Sequence, residues 1–346
     1  MQGTTIENNQ IGYEYMLSAK ENFLETVKRG GNPDRLVNQM ECIQLFTEDP
    51  VAAYVRGNRY RGMEPLRDKW GTVFIWPENQ FSVMPHITQE TKVIRDINRW
   101  REYTSVPDLL TNCSDSVLWA PALEKISKID RSQTLVMAFM PTGVFEQIHY
   151  LMGFEDALTG FLLEPDAMMD LCAAVGEYRF NYMKLLIDTL KPDIMFSHDD
   201  WGSKTNVFMH PDTWRRFIKP QYRRTYQYIK DSGTILIHHA DSFLEPIIED
   251  MVELGIDIWQ GVLPQNNIPM LQKQLAGRMV LMGGIDAAVA DRADVDEDVI
   301  RKETRRACEE YGPGGSYIPG LTNLYGMYPH VYPIIFDEIT QYNHQR

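Results

Sequence analysis

Two carboxylates and a histidine follow one short apolar run of the chain, and their side chains are suited to acid–base chemistry. His198, Asp199 and Asp200 come directly after the run at 194–196, with Trp201 beyond them. Carboxylates held close together have pKa values that are pushed apart, so they suit general acid–base catalysis or metal binding. We therefore predict that Asp199 and Asp200 are catalytic and that Trp201 contacts substrate. The alternative is that one aspartate caps the next helix while the other is solvated.

A second ionisable group follows the apolar run at 235–237. It contains His238, His239 and Asp241. Side chains alternate along a strand, so only one of the two histidines can face a site on one side of a sheet. We predict that His238 faces the site and is catalytic, that His239 forms a hydrogen bond toward the helix layer, and that Asp241 contacts substrate.

Four more residues that follow apolar runs are candidates for substrate binding: Trp259, Gln265, Asp286 and Tyr325. Asp286 ends the segment Gly283-Gly284-Ile285-Asp286, where the glycines allow a ligand to approach the backbone closely. Two alternatives stay open, because Asp286 is equally suited to capping a helix and the aromatic rings to packing in a core.

The elements that position these residues alternate between strand and helix from about residue 133. Apolar runs stand at 135–140, 194–197, 234–238, 256–259, 279–284 and 316–319, and helical patterns stand at 166–190, 211–231, 243–254 and 295–311. Strands and helices in strict alternation are typical of parallel strands joined by crossovers. We predict an α/β fold, a (β/α)8 TIM barrel, whose site lies at the carboxyl ends of the strands.

The first part of the chain shows fewer such units. It has a helical pattern at 13–29, a strand-like aromatic run at 70–76 that Pro77 closes, and a polar helical pattern at 88–105. We predict a single domain over residues 1–346, in which 1–130 form an N-terminal extension and the first strands, and 131–346 form the clearest strand–helix units.

Charge and hydropathy exclude several classes of partner. The chain of 346 residues carries a formal net charge of −14, and no run of Lys or Arg is longer than a pair. Nucleic acids and anionic membrane surfaces are poor partners for such a field. No apolar stretch approaches the roughly 18 residues of a membrane span, and the N-terminus lacks the profile of a signal peptide. We therefore expect a cytoplasmic protein.

The four cysteines are Cys42, Cys113, Cys172 and Cys308, and no two of them have the spacing of a Cys-x-x-Cys motif. This spacing fits neither a disulfide framework nor a zinc ribbon. It predicts buried thiols in a reducing compartment.

The strand ends, taken in order, resemble those of the uroporphyrinogen decarboxylase-like superfamily. The matching stretches are Asp199-Asp200-Trp201-Gly202, Pro211-x-x-Trp214-x-x-Phe217-x-x-Pro220, the strand of His238, Glu253-Leu254-Gly255-Ile256-Asp257, Pro264-Gln265 and Gly283-Gly284-Ile285-Asp286. The resemblance covers residues 35 to 340 and implies a (β/α)8 barrel with an N-terminal extension. The segment Asp68-x-Trp70-Gly71 is similar to an early strand region of the methyltransferase branch.

The resemblance implies one of two chemistries. One branch decarboxylates the acetate arms of uroporphyrinogen, and its Arg-Gln-Ala-Gly-Arg motif is absent here, although Arg35, Arg56, Arg59 and Arg61 stand in the corresponding region. The other branch moves methyl groups to or from a corrinoid carried on a partner protein. We interpret the chain as a methyltransferase that demethylates a small methylated substrate, with methylcorrinoid supplied by a corrinoid protein. The alternatives are a lyase for a carboxylated small molecule or tetrapyrrole, and a binding protein without chemistry.

Thiol-activating members of the superfamily bind zinc through a His-x-Cys pair and a later cysteine. The positions that match are His238, His239 and Ala240, and no cysteine stands near Leu321-Thr322. The resemblance therefore implies no zinc site through cysteine, and it leaves open a harder site of His238 with Asp199, Asp200, Asp241 or Asp286. Ether or amine demethylation needs an activated leaving group, by a proton or a Lewis acid. His238, Asp199 or Asp200 would supply that proton. An apolar or cation-binding wall of the site would be formed by Trp201, Trp259, Tyr325 and Tyr328.

Overall fold

The computed structural model describes residues 16–345, which contain ten β-strands. They are β1 (Ile43–Phe46), β2 (Leu66–Arg67), β3 (Val73–Ile75), β4 (Met84–Pro85), β5 (Leu135–Met140), β6 (Ile194–His198), β7 (Ile235–His239), β8 (Ile258–Val262), β9 (Val280–Gly284) and β10 (Tyr317–Gly320). The strands from β5 onward coincide with the apolar runs of the sequence. The buried runs therefore identify the strands that carry the site.

Fifteen α-helices occupy the same described range. They are α1 (Ala19–Val27), α2 (Pro50–Arg56), α3 (Trp100–Tyr103), α4 (Leu109–Cys113), α5 (Ser116–Ser127), α6 (Val144–Met152), α7 (Phe154–Leu163), α8 (Pro165–Leu190), α9 (Pro211–Phe217), α10 (Lys219–Asp231), α11 (Ile248–Glu253), α12 (Ile268–Leu275), α13 (Ala287–Ala290), α14 (Glu297–Tyr311) and α15 (Val331–His344). Short 3₁₀ helices stand at Ile97–Arg99, Glu245–Ile247 and Gly312–Gly314. Within residues 16–345, no helix combines the length and the apolar character that crossing a lipid bilayer requires.

Seven of the strands form one parallel sheet in the order β1-β5-β6-β7-β8-β9-β10. Its register sets His198 of β6 opposite His239 of β7, and His239 opposite Gln260 of β8. The strands β2, β3 and β4 form a separate antiparallel sheet. The parallel arrangement brings the carboxyl ends of the large sheet to one edge, as the α/β prediction requires.

The large sheet is curled around an apolar interior. Ile43 at one edge of the sheet and Ile318 at the other belong to the same buried cluster, together with Met137, Ile237 and Val280 from strands between them. An eighth strand that would pair β10 with β1 does not form among residues 16–345. The α/β prediction is thus confirmed as a curled half-barrel of seven strands, while the closed (β/α)8 barrel and its N-terminal extension stay predictions.

The outer face of the sheet is equally apolar and packs against the helices. Val136, Met195, Leu236 and Leu281 point into a second buried cluster that also takes in most of the buried face of α8. Strands that are buried on both faces have continuous apolar sequences without alternation. For this reason the sequence locates the strands but does not say which side chains face inward.

Two helical predictions need correction. The pattern at 88–105 predicted a helix, but only the 3₁₀ helix Ile97–Arg99 and α3 are helical there. The pattern at 211–231 predicted one helix, and the chain forms α9 and α10 instead, divided at Ile218. Pro220 stands in the first turn of α10, where its missing N–H costs nothing, whereas inside a continuous helix it would remove a hydrogen bond. The predicted helix at 13–29 begins outside the described residues and is seen as α1.

Candidate active site

A cavity of about 470 Å³ opens at the carboxyl ends of β5, β6 and β7. Its apolar wall consists of Leu45, Phe74, Phe81, Val83, Phe139, Phe196, Leu324 and Tyr325. Its polar wall includes Arg56, Arg59, Glu146, Tyr150, His198 and His239. A concave, mostly apolar pocket with a few convergent polar groups is the usual form of a small-molecule site.

The predicted orientation of the adjacent histidines was wrong, because His239 and not His238 faces the cavity. Ile237 belongs to the cluster inside the curled sheet, so His239, two residues later on the same strand, points the same way. The rings of His239 and His198 are stacked with their centroids 4.5 Å apart. The two imidazoles therefore form one wall of the site.

Gln260 fixes the tautomer of His239. The Gln260 amide nitrogen donates to the carbonyl oxygens of Leu321 (2.9 Å) and Thr322 (3.0 Å), so the amide oxygen is the atom that meets His239 Nδ1. Nδ1 must then carry the proton, which leaves Nε2 of the neutral ring with a free lone pair. Burial and the positive charge of His198 lower the pKa of His239 to about 4, so the ring is neutral at physiological pH.

Glu146 holds His198 in its protonated form. Glu146 is the third residue of α6, and its Oε2 accepts hydrogen bonds from Gly143 N and from His198 Nδ1, each at 2.9 Å. Burial by itself would lower the pKa of His198, but the Glu146 carboxylate outweighs it and raises that pKa to about 9. Burial would raise the pKa of Glu146, and the His198 charge lowers it instead to about 2. A carboxylate–imidazolium pair therefore borders the cavity at neutral pH.

Asp200 and Asp241 complete a group of five ionisable side chains. The Asp241 backbone N–H donates to Asp200 Oδ1 at 3.0 Å. One ligand atom from each of Glu146, His198 and Asp200 lies within 4.8 Å of the others, and the same holds for Asp200, His239 and Asp241. Burial raises the pKa of Asp200 to about 6 against the opposing charge of His198, and burial and Asp200 together raise the pKa of Asp241. We call these five residues the ionisable cluster.

Comparison with known proteins identifies the family of this chain. The sequence matches the Uroporphyrinogen decarboxylase (URO-D) family over residues 71–333. The chain belongs to the URO-D family. Two curated uroporphyrinogen decarboxylases, from two strains of Thermus thermophilus, are each 26% identical to it over 181 residues, which are 52% of this chain and 47% of theirs. The chain thus spans about half the length of the curated relatives it matches.

A solved structure shares the fold across most of this URO-D family chain. It is a methyltransferase from Methanosarcina mazei, which superposes with a TM-score of 0.57 and 17% sequence identity over 94% of this chain and 84% of that one. At this identity the likeness shows a common fold. The resemblance to the superfamily inferred from the strand ends is therefore confirmed.

In this URO-D family protein Asp199 lies on the opposite side of the strand from the cavity. It is fully buried, and its carboxylate accepts hydrogen bonds from the backbone N–H groups of Phe145 (3.2 Å) and Glu146 (3.0 Å). Trp201 Nε1 and the Tyr222 hydroxyl donate to it at 2.8 and 2.6 Å. The predicted place of Asp199 in the pocket is therefore corrected: it anchors the first turn of α6 and thereby positions Glu146.

His238 and Trp201 are likewise packed in the helix layer and do not reach the cavity. Their rings are stacked with centroids 3.8 Å apart, and the Tyr226 hydroxyl lies 2.7 Å from His238 Nδ1. His238 is fully buried, and burial, with the charge of Arg179 as a further cause, holds its pKa well below the ordinary value. The side chain that we expected to face the site is thus a neutral ring in the outer core.

The remaining predicted residues divide between the cavity and other places. Tyr325 lines the cavity. Trp259 is buried in the helix layer, where its Nε1 donates to Ala240 O at 2.9 Å. Asp286 caps α13 by accepting from Ala288 N, and Gln265 is exposed outside the cavity wall. Tyr328 packs partly buried against the helix-layer core.

Sequence reasoning missed Glu146, Tyr150 and the role of Gln260. Glu146 lies in the first turn of the helix that follows β5, so extending the search from the strand ends to the first turn of the next helix would have found it. Gln260 is the polar residue two positions after the inward Ile258. No comparable signal marks Tyr150, which reaches the cavity from the second turn of α6.

The donor atoms of the ionisable cluster suit a divalent cation that prefers oxygen and nitrogen ligands. The cluster offers two imidazoles and three carboxylates, and in the described part of the chain no cysteine belongs to it. His239-x-Asp241 has the spacing of a His-x-Cys pair with a carboxylate in place of the thiolate. Burial raises the pKa of the Cys42 thiol to about 12 and that of Cys113 to about 11, so these thiols are poor ligands.

Proposed function

We propose that this enzyme of the URO-D family transfers a methyl group from a small methylated substrate to a corrinoid carried by a partner protein. The observation that carries the proposal is the Glu146–His198 ion pair at the wall of a largely apolar cavity. An imidazolium ion in that place is a proton donor at neutral pH, and demethylation of an ether or amine needs one. The fold shared with a methyltransferase supports the same interpretation.

The proposed step exchanges one bond for another. The bond between the methyl carbon and its oxygen or nitrogen breaks, and the methyl carbon bonds to Co(I), which supplies both electrons and becomes Co(III). The leaving oxygen or nitrogen keeps the electron pair of the broken bond and takes a proton. Without that proton the leaving group would depart as a strong base, so the rate depends on the donor beside it.

The chain supplies the proton and the surroundings in which it moves. His198 donates from Nε2, because Nδ1 is held by Glu146, and Glu146 keeps the imidazole charged between turnovers. His239 Nε2 accepts a hydrogen bond from the leaving oxygen or nitrogen once that atom is protonated, since Gln260 holds the proton on the other ring nitrogen. Phe139 and Phe196 exclude water, which strengthens these interactions.

The ionisable cluster would also hold a divalent cation. Such a cation would act as a Lewis acid on the leaving atom, in place of the proton. Glu146, His198, Asp200, His239 and Asp241 are the residues that would bind it. Isothermal titration with Zn²⁺ and Mn²⁺ tests this: we expect binding that weakens at least about tenfold in Asp200→Asn and is unchanged in Cys308→Ser. Binding that depends on Cys308 would contradict the assignment.

The rate of methyl transfer in His198→Gln tests the proton donor. With cob(I)alamin as acceptor and methoxy-aromatics, methylamines or betaines as donors, we expect the rate to fall by about 10²–10⁴. His210→Gln is the matched control, because the His210 side chain is 74% exposed and lies outside the cavity wall. An unchanged rate in His198→Gln would remove His198 from the mechanism.

A second candidate is a carboxy-lyase that acts on a small carboxylated molecule. Membership of the URO-D family and the arginines in the cavity wall favour it. A tetrapyrrole with eight carboxylates is a poor fit, because Arg56 and Arg59 are the only arginines that the described residues contribute to the cavity wall, and eight carboxylates would need several more. Release of CO₂ from aromatic or aliphatic carboxylates, without any corrinoid, would support the lyase and contradict methyl transfer.

A further inference from the structure

Two arginine side chains enter the same cavity as the ionisable cluster. Arg56 ends α2, and Arg59 follows it three residues later, with Arg59 Nε donating to Arg56 O at 3.1 Å. Both line the cavity, and both are partly buried. The cavity therefore has a basic part that the proposed methyl transfer does not use.

Neither guanidinium has an adequate anionic partner in the protein. Among residues 16–345, the Arg56 side chain forms no hydrogen bond and no close ion pair; its charge acts on the Asp49 carboxylate, which is hydrogen-bonded to Ala52 N and to the Tyr182 hydroxyl instead.

Arg59 Nη2 is buried without a hydrogen bond. The carboxylate nearest to Arg59 Nη2 belongs to Asp68, 3.9 Å away. That contact is to Asp68 Oδ2 and is too long for a hydrogen bond, while Asp68 Oδ1 accepts hydrogen bonds from the backbone N–H groups of Trp70 (3.0 Å) and Thr72 (2.9 Å). Buried charge without a hydrogen-bonded partner is costly, which makes this a place for a ligand's anion.

The Phe74 ring supports the Arg59 guanidinium, and no carboxylate in the described part of the chain forms a hydrogen bond with it. Its carbon lies 3.6 Å from the centroid of the Phe74 ring, so the plane is supported from one side. Burial and the neighbouring charge of Arg56 lower the pKa of Arg59 to about 10, which still leaves it charged at neutral pH. A planar, fixed guanidinium with free N–H groups is the arrangement that recognises a carboxylate.

We propose that Arg56 and Arg59 bind a carboxylate of the methylated substrate, which makes the substrate class a methoxylated or methylaminated organic acid with an apolar body. The apolar wall of Phe74, Phe81 and Val83 beside the arginines favours an organic acid over an inorganic anion. The inference rests on the proposed function only in stating that the substrate carries a transferable methyl group. Binding of the carboxylate is a separate property that can be measured without methyl transfer.

Calorimetric titration with 4-methoxybenzoate and with its neutral analogue 4-methoxybenzamide tests the inference. We expect the acid to bind the wild-type protein about 10- to 100-fold more tightly than the amide, as charge-assisted hydrogen bonds imply. Arg56→Met should remove that preference, and it should not disturb folding, because the Arg56 side chain bonds to no protein group among the described residues. Arg61→Met removes the same charge from an exposed position of the same segment and should leave binding unchanged.

Other outcomes would overturn the inference. Equal affinity for acid and amide, or an acid affinity that survives in both Arg56→Met and Arg59→Met, would show that the arginines do not bind the carboxylate. Binding of inorganic phosphate that no organic acid displaces would assign the arginines to a phosphate instead. The two proposals fail separately. Methyl transfer from neutral donors alone would refute the assignment of an organic acid as substrate and keep the proposed methyl transfer. Arginine-dependent binding of the acid without any methyl transfer would keep the carboxylate site and refute the proposed function.

Discussion

His239 and Gln260 show how one hydrogen bond decides what a side chain can do. Gln260 donates its amide N–H groups to backbone carbonyls, so its oxygen must accept a hydrogen bond from His239 Nδ1–H. The free nitrogen of His239 then faces the cavity beside the charged His198. Two adjacent imidazoles thus differ in charge, because only one has a carboxylate.

The neighbouring histidines 238 and 239 should respond to substitution in opposite ways. His238→Ala would leave a void between Trp201 and Tyr226 and should lower the free energy of unfolding by about 2–4 kcal/mol, with kcat changed little. His239→Ala should cost less stability but lower kcat/KM by at least about tenfold, because the leaving atom, once protonated, loses its hydrogen-bond acceptor. Chemical denaturation and initial rates measure both. A large rate loss in His238→Ala with unchanged stability would contradict this assignment.

The Glu146–His198 pair should stabilise the protein over a limited pH range. The folded-state pKa of His198 is raised to about 9, so its contribution is full below the unfolded pKa of about 6.5 and is lost as pH rises through 9. The folded-state pKa of Glu146 is lowered to about 2, so its contribution is present above about 4.3 and is lost as pH falls toward 2. The pair therefore contributes most between about pH 4.3 and 6.5.

Denaturation of chelator-treated wild-type protein and of His198→Gln at a series of pH values measures this dependence. The stability difference between the two should decrease by up to about 3 kcal/mol between pH 6.5 and 9. A difference that grows over that interval would mean that His198 is neutral in the folded protein.

At the scale of elements, the first turn of α6 connects the outer core to the cavity. Asp199 accepts the backbone N–H groups of Phe145 and Glu146 from outside the sheet, and the Glu146 side chain reaches the cavity. A side-chain Cβ at Gly143 would lie 1.8 Å from Asp199 Cγ, so only glycine allows this approach. The position of Glu146, the partner of the proposed proton donor, is therefore set by a buried carboxylate that does not reach the cavity.

Asp199→Asn should disturb both stability and catalysis through this helix. Loss of the charge weakens two hydrogen bonds from the N-terminus of α6 and two from the side chains of Trp201 and Tyr222, for which we expect about 1–3 kcal/mol of lost stability. Because Glu146 would shift, the pH at which activity declines on the alkaline side should also fall. Asp212→Asn, in the exposed first turn of α9, is the control. Lost stability with an unchanged pH profile would show that Asp199 does not position Glu146.

The sequence located the strands β5 to β10 and the correct edge of the sheet, but it could not assign the inward face. Ile235, Leu236 and Ile237 are all apolar because both faces of β7 are covered, so no alternation distinguishes His238 from His239. The sequence drew attention to Arg56 and Arg59 only as part of the region that corresponds to the arginine motif of the decarboxylases, and it did not assign them to the site, since they come from α2 and a loop rather than from a strand end. Only the curl of the sheet brings them to the ionisable cluster.

At the scale of the whole molecule, the curled sheet places the charged His198 and two arginines on the wall of one cavity. β1 with α2 contributes the arginines, and β6 and β7 contribute the imidazoles. Their meeting in one apolar cavity is what favours a small methylated acid over a tetrapyrrole as substrate. The net charge of −14 makes this basic part of the cavity a local feature against an acidic background.

Product analysis with cob(I)alamin and a methylated acid tests the central claim most directly. The protein is incubated with cob(I)alamin and 4-methoxybenzoate, and methylcobalamin, 4-hydroxybenzoate and CO₂ are all quantified. Methyl transfer predicts methylcobalamin and 4-hydroxybenzoate in equal amounts, with no CO₂ and with greatly reduced yield in His198→Gln. Release of CO₂ without methylcobalamin, from this or another carboxylated substrate, would contradict the account and identify a lyase.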